Sequence, residues 1–158
     1  MDPIQIQVKL SHPSAKVPTK AHDSDLGWDI YVVADKYFYT HNYPGQADRK
    51  MFDFNPHTAH TFETGIAIAT PDNFGFLLRD RSSYGIRDIV VHAGVIEGTY
   101  RSPWKIRLFN HSDNVVQIAE GDRICQAILT EILPAFTTVV DELPPSERGT
   151  KGFGSSGK

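Results

Sequence analysis

Apolar and polar residues alternate in short runs along most of this chain, and a period of two restricts it to β-structure. Ile4, Ile6, Val8 and Leu10 are interleaved with Gln5, Gln7 and Lys9, the pattern of a strand with one buried face. Comparable runs lie at 28–33, 65–69, 74–78, 89–91, 104–109, 124–129 and 137–140. They are rich in β-branched and aromatic residues and bounded by Gly, Pro, Asn or Asp, as strands between tight connections are. Helical periodicity is missing from every long stretch, and only 82–86 reads as a short helix. The chain is therefore expected to be all-β, a sandwich or a barrel.

The segment 35–60 departs from this rhythm. Tyr37, Phe38, Tyr39, Tyr43, Phe52 and Phe54 stand among polar residues, with Pro44-Gly45 marking a turn. It reads as a surface insertion packed by its own aromatics. His41, His57 and His60 lie here without the spacing of metal ligands, so no metal site is expected from them.

With 158 residues the chain has the size of one domain with its own core. A formal charge of −3 argues against a general nucleic-acid binder, which needs a basic face. The single cysteine, Cys125, excludes an intrachain disulfide framework. No cationic start followed by an apolar run marks a signal peptide, and no apolar stretch has membrane-spanning length. A cytoplasmic protein is expected.

Five stretches carry candidate chemistry. Asp29 is a carboxylate inside the apolar run Trp28-Asp29-Ile30-Tyr31 and needs a cation or hydrogen-bond donors there. Arg79-Asp80-Arg81-Ser82-Ser83 follows a strand end, where guanidinium forks and hydroxyls can grip phosphate oxygens. The segment 92–101 reads as two strands joined across Glu97-Gly98, with Glu97 placed as a general base and Tyr100 as a pocket wall. Gly94 and Gly98 would let a flat ligand approach the backbone. Gly121-Asp122-Arg123 is a turn into a strand that carries the polar Gln126.

The last stretch, 148–158, holds glycines at 149, 152, 154 and 157 with Ser155, Ser156, Arg148 and Lys151. Free amides, hydroxyls and cations in sequence suit a polyphosphate, and Phe153 offers a face on which a base stacks. Each stretch alone also has an ordinary reading: a turn Asp, a solvated Arg–Asp turn, a plain hairpin, a sheet-edge amide, a frayed terminus.

Taken together and in order, these stretches resemble the five sequence motifs of the trimeric dUTPase family. The matches are Gly27-Trp28-Asp29-Ile30, Arg81-Ser82-Ser83, Ala93-Gly94-Val95-Ile96 with Tyr100-Arg101, Gly121-Asp122-Arg123-Ile124 with Gln126, and the glycine-rich tail. The resemblance implies a jelly-roll-like β-clip barrel over 1–147, homotrimeric, with the C-terminal arm exchanged between subunits and 148–158 as a flexible lid. It implies hydrolysis of dUTP to dUMP and pyrophosphate with Mg²⁺, in sites built from three chains. By family likeness the backbone near Val91, Gly94 and Ile96 pairs with uracil and Tyr100 packs against the deoxyribose. Ser82, Ser83 and Gln126 attend the phosphates, Arg81 supports either the subunit junction or the phosphates, and Asp29 helps hold the water shell of Mg²⁺. Arg148 reaches the γ-phosphate and Phe153 stacks on uracil, with Gly154, Ser155 and Ser156 closing around the phosphates.

The chain departs from the family pattern at several places. Glu97 stands where the family has the Asp that orients the attacking water, Thr99 where a second acid is usual, Ser102 for Gly, and Asp80 for the Pro before Arg81. The Glu97 exchange and the altered hairpin leave room for two alternatives: a diphosphatase for another pyrimidine deoxynucleotide such as dCTP (or a deaminase of the same superfamily), and a low-activity nucleotide-binding regulator with a protein partner at 35–60. Compact members with such departures are often viral, so a phage or viral member is expected.

Overall fold

A computed structural model describes residues 3–42, 44, 47–147 and 149. Among the described residues there are twelve strands and one helical turn. β1 (Gln7–Leu10) and β2 (Gly27–Tyr31) open it, followed by β3 (Tyr39–His41), β4 (Arg49–Phe54), β5 (Thr58–Glu63), β6 (Ile66–Ala69) and β7 (Phe74–Arg79). The turn α1 (Ser82–Gly85) leads to β8 (Ile89–His92), β9 (Val95–Ile96), β10 (Lys105–Asn110), β11 (Val116–Ala119) and β12 (Arg123–Glu131). The all-β expectation holds, and the one expected helix sits at α1.

Every strand pairing is antiparallel, which lets each sheet bury one face and wet the other. The orders are β2-β12-β7-β9, β5-β10-β8, β11-β4-β3 and β1-β6. Alternation does the sorting: in β10, Ile106, Leu108 and Asn110 are buried while Lys105 and Arg107 are exposed. Trp104, Phe54, Phe62, Ile30 and Ile118 are among the fully buried side chains of one common core. Asn110 is tolerated inside because its amide nitrogen donates to the Phe54 and Asn114 carbonyls, both at 2.9 Å, and its oxygen accepts from Ser112.

Three expectations are corrected. The segment 35–60 is not laid on the surface: β4 lies between β11 and β3, and its Met51 and Phe54 enter the core. Its aromatics do pack on one another, with Phe52 5.6 Å from Phe38 and 6.1 Å from Phe54, and Phe52 also reaches Phe62 beyond the segment at 5.2 Å, so that the segment becomes a barrel wall. Sequence reading missed β3 to β5 because the aromatics sit among exposed polar partners. The run 137–140 is no strand; no described residue pairs with it, and Phe136 and Val139 are 91% and 99% exposed. Finally, the hairpin across Glu97-Gly98 is absent. β8 pairs with β10, β9 pairs with β7, and residues 97–100 form a turn.

Of the histidines of 35–60, His60 packs among the aromatics, His57 pairs with Asp113 at the surface and His41 lies on exposed β3. His60 lies 4.3 Å from Phe52 and 4.7 Å from Phe62, with its Nε2 3.5 Å from an Asp35 oxygen. Among the described residues, no helix is long and apolar enough to cross a membrane.

Candidate active site

The residues singled out by sequence fall into two groups on the barrel. The first is centred on Asp29, held in mid-strand by main-chain bonds to Thr19 and set opposite Gln126 of β12. It is buried. Its Oδ1 accepts from Arg81 Nε and its Oδ2 from Arg123 Nη1, each at 3.0 Å. Arg81 Nη1 also donates to the Arg123 carbonyl and to Ser83 Oγ, both at 3.2 Å. A buried carboxylate is tolerable because charge and hydrogen bonds compensate it together.

Two guanidiniums share this one carboxylate, so the cluster carries a net positive charge beside the exposed Ser82 and Ser83. That arrangement favours an anion. Gln126 is half-buried on β12, in register between Asp29 and Arg79. Sequence reading found Arg123 in its motif without assigning it a role; the ion pair across β2 and β12 supplies one. Asp29 itself is engaged by both arginines. Among the described residues, no group of three or more His, Cys, Asp or Glu side chains could hold a metal ion.

Beneath α1, Tyr84 is buried, and loss of solvent, aided by Asp122, pushes its phenol up to about 12. It stays protonated at any ordinary pH and cannot serve as a base. Burial likewise drives the Cys125 thiol far up, so it packs as an inert apolar group.

The second group is built by close backbone approach. Gly94 faces β7 so tightly that a Cβ would stand 2.9 Å from the Leu78 carbonyl oxygen, while the Gly94 carbonyl accepts the Leu78 amide at 2.7 Å. The turn reaches this point through Ala93, whose φ of 54° is left-handed. At Gly75 a Cβ would stand 3.0 Å from the Ile96 carbonyl, and at Gly98 it would enter the Phe74 carbonyl oxygen. Tyr100 then closes a turn onto the Glu97 carbonyl at 2.9 Å, and Arg101 Nη1 donates to the Gly98 carbonyl behind it.

The side chain of Glu97 is thereby presented from a pinned backbone. It stands exposed at an open pocket of about 490 Å³, lined also by Ile96, Thr99, Tyr100, Trp104 and Lys105. Lys105, which sequence reading missed, is bonded to Glu63 at 2.9 Å, its partner across β10 and β5. The hydrogen bond and charge of Glu63 raise the Lys105 pKa. No sequence signal linked residues 63 and 105; only the strand register does. An apolar cleft of about 160 Å³ near Val8, Trp28 and Phe76 has no charged or nucleophilic wall and offers no chemistry.

Among the described residues, no hydrogen bond or ion pair joins Glu97 or Tyr100 to Asp29, Arg81 or Gln126, and none of these three lines the Glu97 pocket. Val91 and Gly94 line a small cleft beside Arg79 instead. Arg148, Phe153, Gly154, Ser155 and Ser156 lie outside the described residues.

An antiparallel barrel with a cationic, hydroxyl-bearing edge and a carboxylate-rimmed pocket defines a protein built to handle a phosphorylated small molecule. The dUTPase family model matches residues 13–157, and the chain belongs to the dUTPase family. The chain is 35% identical over 156 residues to the deoxyuridine 5'-triphosphate nucleotidohydrolase of Candida albicans, covering 97% of this chain and 88% of that one. To the protein of the same name from Picosynechococcus sp. it is 30% identical over 149 residues, covering 92% and 94%. The fold is shared with the Staphylococcus bacteriophage 80alpha dUTPase bound to dUpNHpp, with a TM-score of 0.78, 23% identity and 98% and 99% coverage. A dUTPase from phage phi11 of S. aureus, described with a structural Mg(II) ion, has a TM-score of 0.69 at 21% identity, covering 88% and 98%.

Proposed function

We propose that this chain hydrolyses dUTP to dUMP and pyrophosphate. The observation that carries the reading is the exposed Glu97 carboxylate on a pinned turn, at a pocket walled by Tyr100, in a chain matched to the dUTPase family over residues 13–157. The products require that the bond between the α-phosphorus and the bridging oxygen breaks. A water held by Glu97 gives up a proton to the carboxylate as its oxygen attacks, and pyrophosphate leaves with the bond electrons. The main chain at 91–96 faces the pyrimidine, Tyr100 packs on the sugar, and Arg81, Ser82, Ser83 and Gln126 hold phosphate oxygens. Asp29 positions Arg81 and Arg123 for that task.

The donor set fits a Mg²⁺ ion that arrives with its nucleotide: no all-protein cage exists among the described residues, and the triphosphate itself supplies hard oxygens. Asp29 would reach such an ion only through water. The ion's contribution is to neutralise phosphate charge.

Among the described residues no hydrogen bond or ion pair joins Glu97 or Tyr100 to Asp29, Arg81 or Gln126, which supports a homotrimer whose sites draw on several subunits. The exposed Leu133, Phe136, Val139 and Val140 support an arm that leaves its own barrel, since apolar surface of this kind is covered in the working assembly. Residues 148–158 then act as the lid that excludes water from a neighbouring site, with Arg148 on the γ-phosphate and Phe153, Gly154, Ser155 and Ser156 over base and phosphates.

Pyrophosphate release from dUTP, dCTP, dTTP and UTP tests this reading. Rapid turnover of dUTP is expected, with the other three slower by at least about a hundredfold: dCTP leaves polar partners of the base unpaired, the 5-methyl of dTTP collides with the main chain of 91–96, and the 2′-hydroxyl of UTP collides with Tyr100. Turnover of dCTP in preference to dUTP would move the protein to another pyrimidine, and no turnover of any of the four would leave a nucleotide-binding regulator.

A further inference from the structure

We propose that Asp80 is a positioning residue that fastens the 91–94 backbone to the end of β7 and so sets the affinity for the pyrimidine. Two sheets part company at this point. β7 belongs to the sheet β2-β12-β7-β9, and β8 belongs to β5-β10-β8. Two ties hold the 91–94 segment to β7. One is main chain and continues the β7–β9 ladder: the Leu78 amide donates to the Gly94 carbonyl at 2.7 Å. The other is a side chain and reaches from one sheet to the other: Asp80 Oδ1 accepts the Val91 amide at 2.6 Å.

Between the two ties lies a cleft of about 170 Å³ lined by Leu78, Arg79, Val91, Gly94 and Val95. Its width is thus set at one end by a strand-like bond and at the other by a carboxylate. The Asp80 carboxylate does what a ladder bond would do if β7 and β8 were neighbours, and it satisfies an amide that β10 does not take. Proline, the residue the family places before this arginine, has no acceptor in its side chain. Asp80 is therefore a feature of this chain that couples the edge bearing Arg81, Ser82 and Ser83 to the segment facing the base.

The kinetic arm of the test rests on the dUTP reading, and the second arm does not. Asp80→Ala removes the acceptor, and Asp80→Asn keeps an oxygen at the same place. For Asp80→Ala the KM for dUTP is expected to rise about tenfold with kcat changed by less than about twofold, because the loss falls on binding rather than on the reacting bond. Asp80→Asn stays within about threefold of the parent KM, since an amide oxygen still accepts. Hydrogen exchange at the Val91 amide is expected to quicken at least about tenfold in Asp80→Ala and not in Asp80→Asn.

Unchanged protection of Val91 in Asp80→Ala overturns the tie. A KM that stays put, a fall confined to kcat, or an Asn variant as impaired as the Ala variant overturns its role in affinity. A parent protein that does not turn over dUTP removes the functional reading and leaves hydrogen exchange to decide the tie alone.

Discussion

Replacing Glu97 by Gln is expected to lower dUTP turnover about a thousandfold while leaving nucleotide affinity within about threefold. The exchange preserves length and shape and removes only the ability to accept a proton. Glu97 lies on the surface of the turn, and its carbonyl, not its side chain, closes that turn onto Tyr100. The fold therefore has no stake in its charge. A general base contributes on the order of a hundred to ten thousandfold, and the loss should fall on kcat. Single-turnover hydrolysis together with equilibrium binding of dUTP separates the two quantities. Undiminished hydrolysis would remove Glu97 from the base role, and lost binding would recast it as a ligand for the sugar.

Gly98→Ala is the second large effect, and it acts through the backbone. The glycine is needed for space, because its Cβ would enter the Phe74 carbonyl oxygen and stand 2.6 Å from Thr70 Oγ1. Neither neighbour yields easily: Phe74 is held in β7, and Thr70 Oγ1 donates to that same carbonyl at 3.2 Å. Relief requires moving the 97–100 turn away from β7, breaking the Arg101 bond to the Gly98 carbonyl. A cost of about 3 kcal/mol is expected, at the upper end for overpacking. Thermal unfolding should fall by about 10 °C for a chain of this size. Activity should collapse too, because the displaced turn carries Glu97. A variant with parental stability and activity would show that the glycine approach is not essential.

The strands were legible where burial follows a strict period of two. The reading of 104–109 matches β10 because this strand buries alternate residues against the core, and 124–129 matches β12 as a bounded apolar run with Ile124, Cys125 and Ala127 buried. It failed at β4, where core-bound Met51 and Phe54 are separated by residues that do not alternate cleanly. It failed in the opposite sense at 137–140, where β-branched residues have no strand partner among the described residues, since strand propensity measures a fit to neighbours. Asp29, Arg81, Glu97, Tyr100 and Gln126 could be nominated as candidates from residue types in order. Their contacts were not legible: Asp29 on two arginines, Lys105 on Glu63 and Asp80 on Val91 all depend on strand register and sheet junctions that no local pattern encodes.

The most direct test of a dUTP-hydrolysing site shared between chains is complementation. Glu97→Gln and a chain ending at residue 147 should each be inactive as pure assemblies, one lacking the base and the other the lid. Co-expressed in equal amounts and purified together, they should recover dUTP hydrolysis at about a quarter of the sites, because those sites draw base and lid from different parental chains of a symmetric trimer. Activity no higher than the sum of the two pure variants would contradict the shared site.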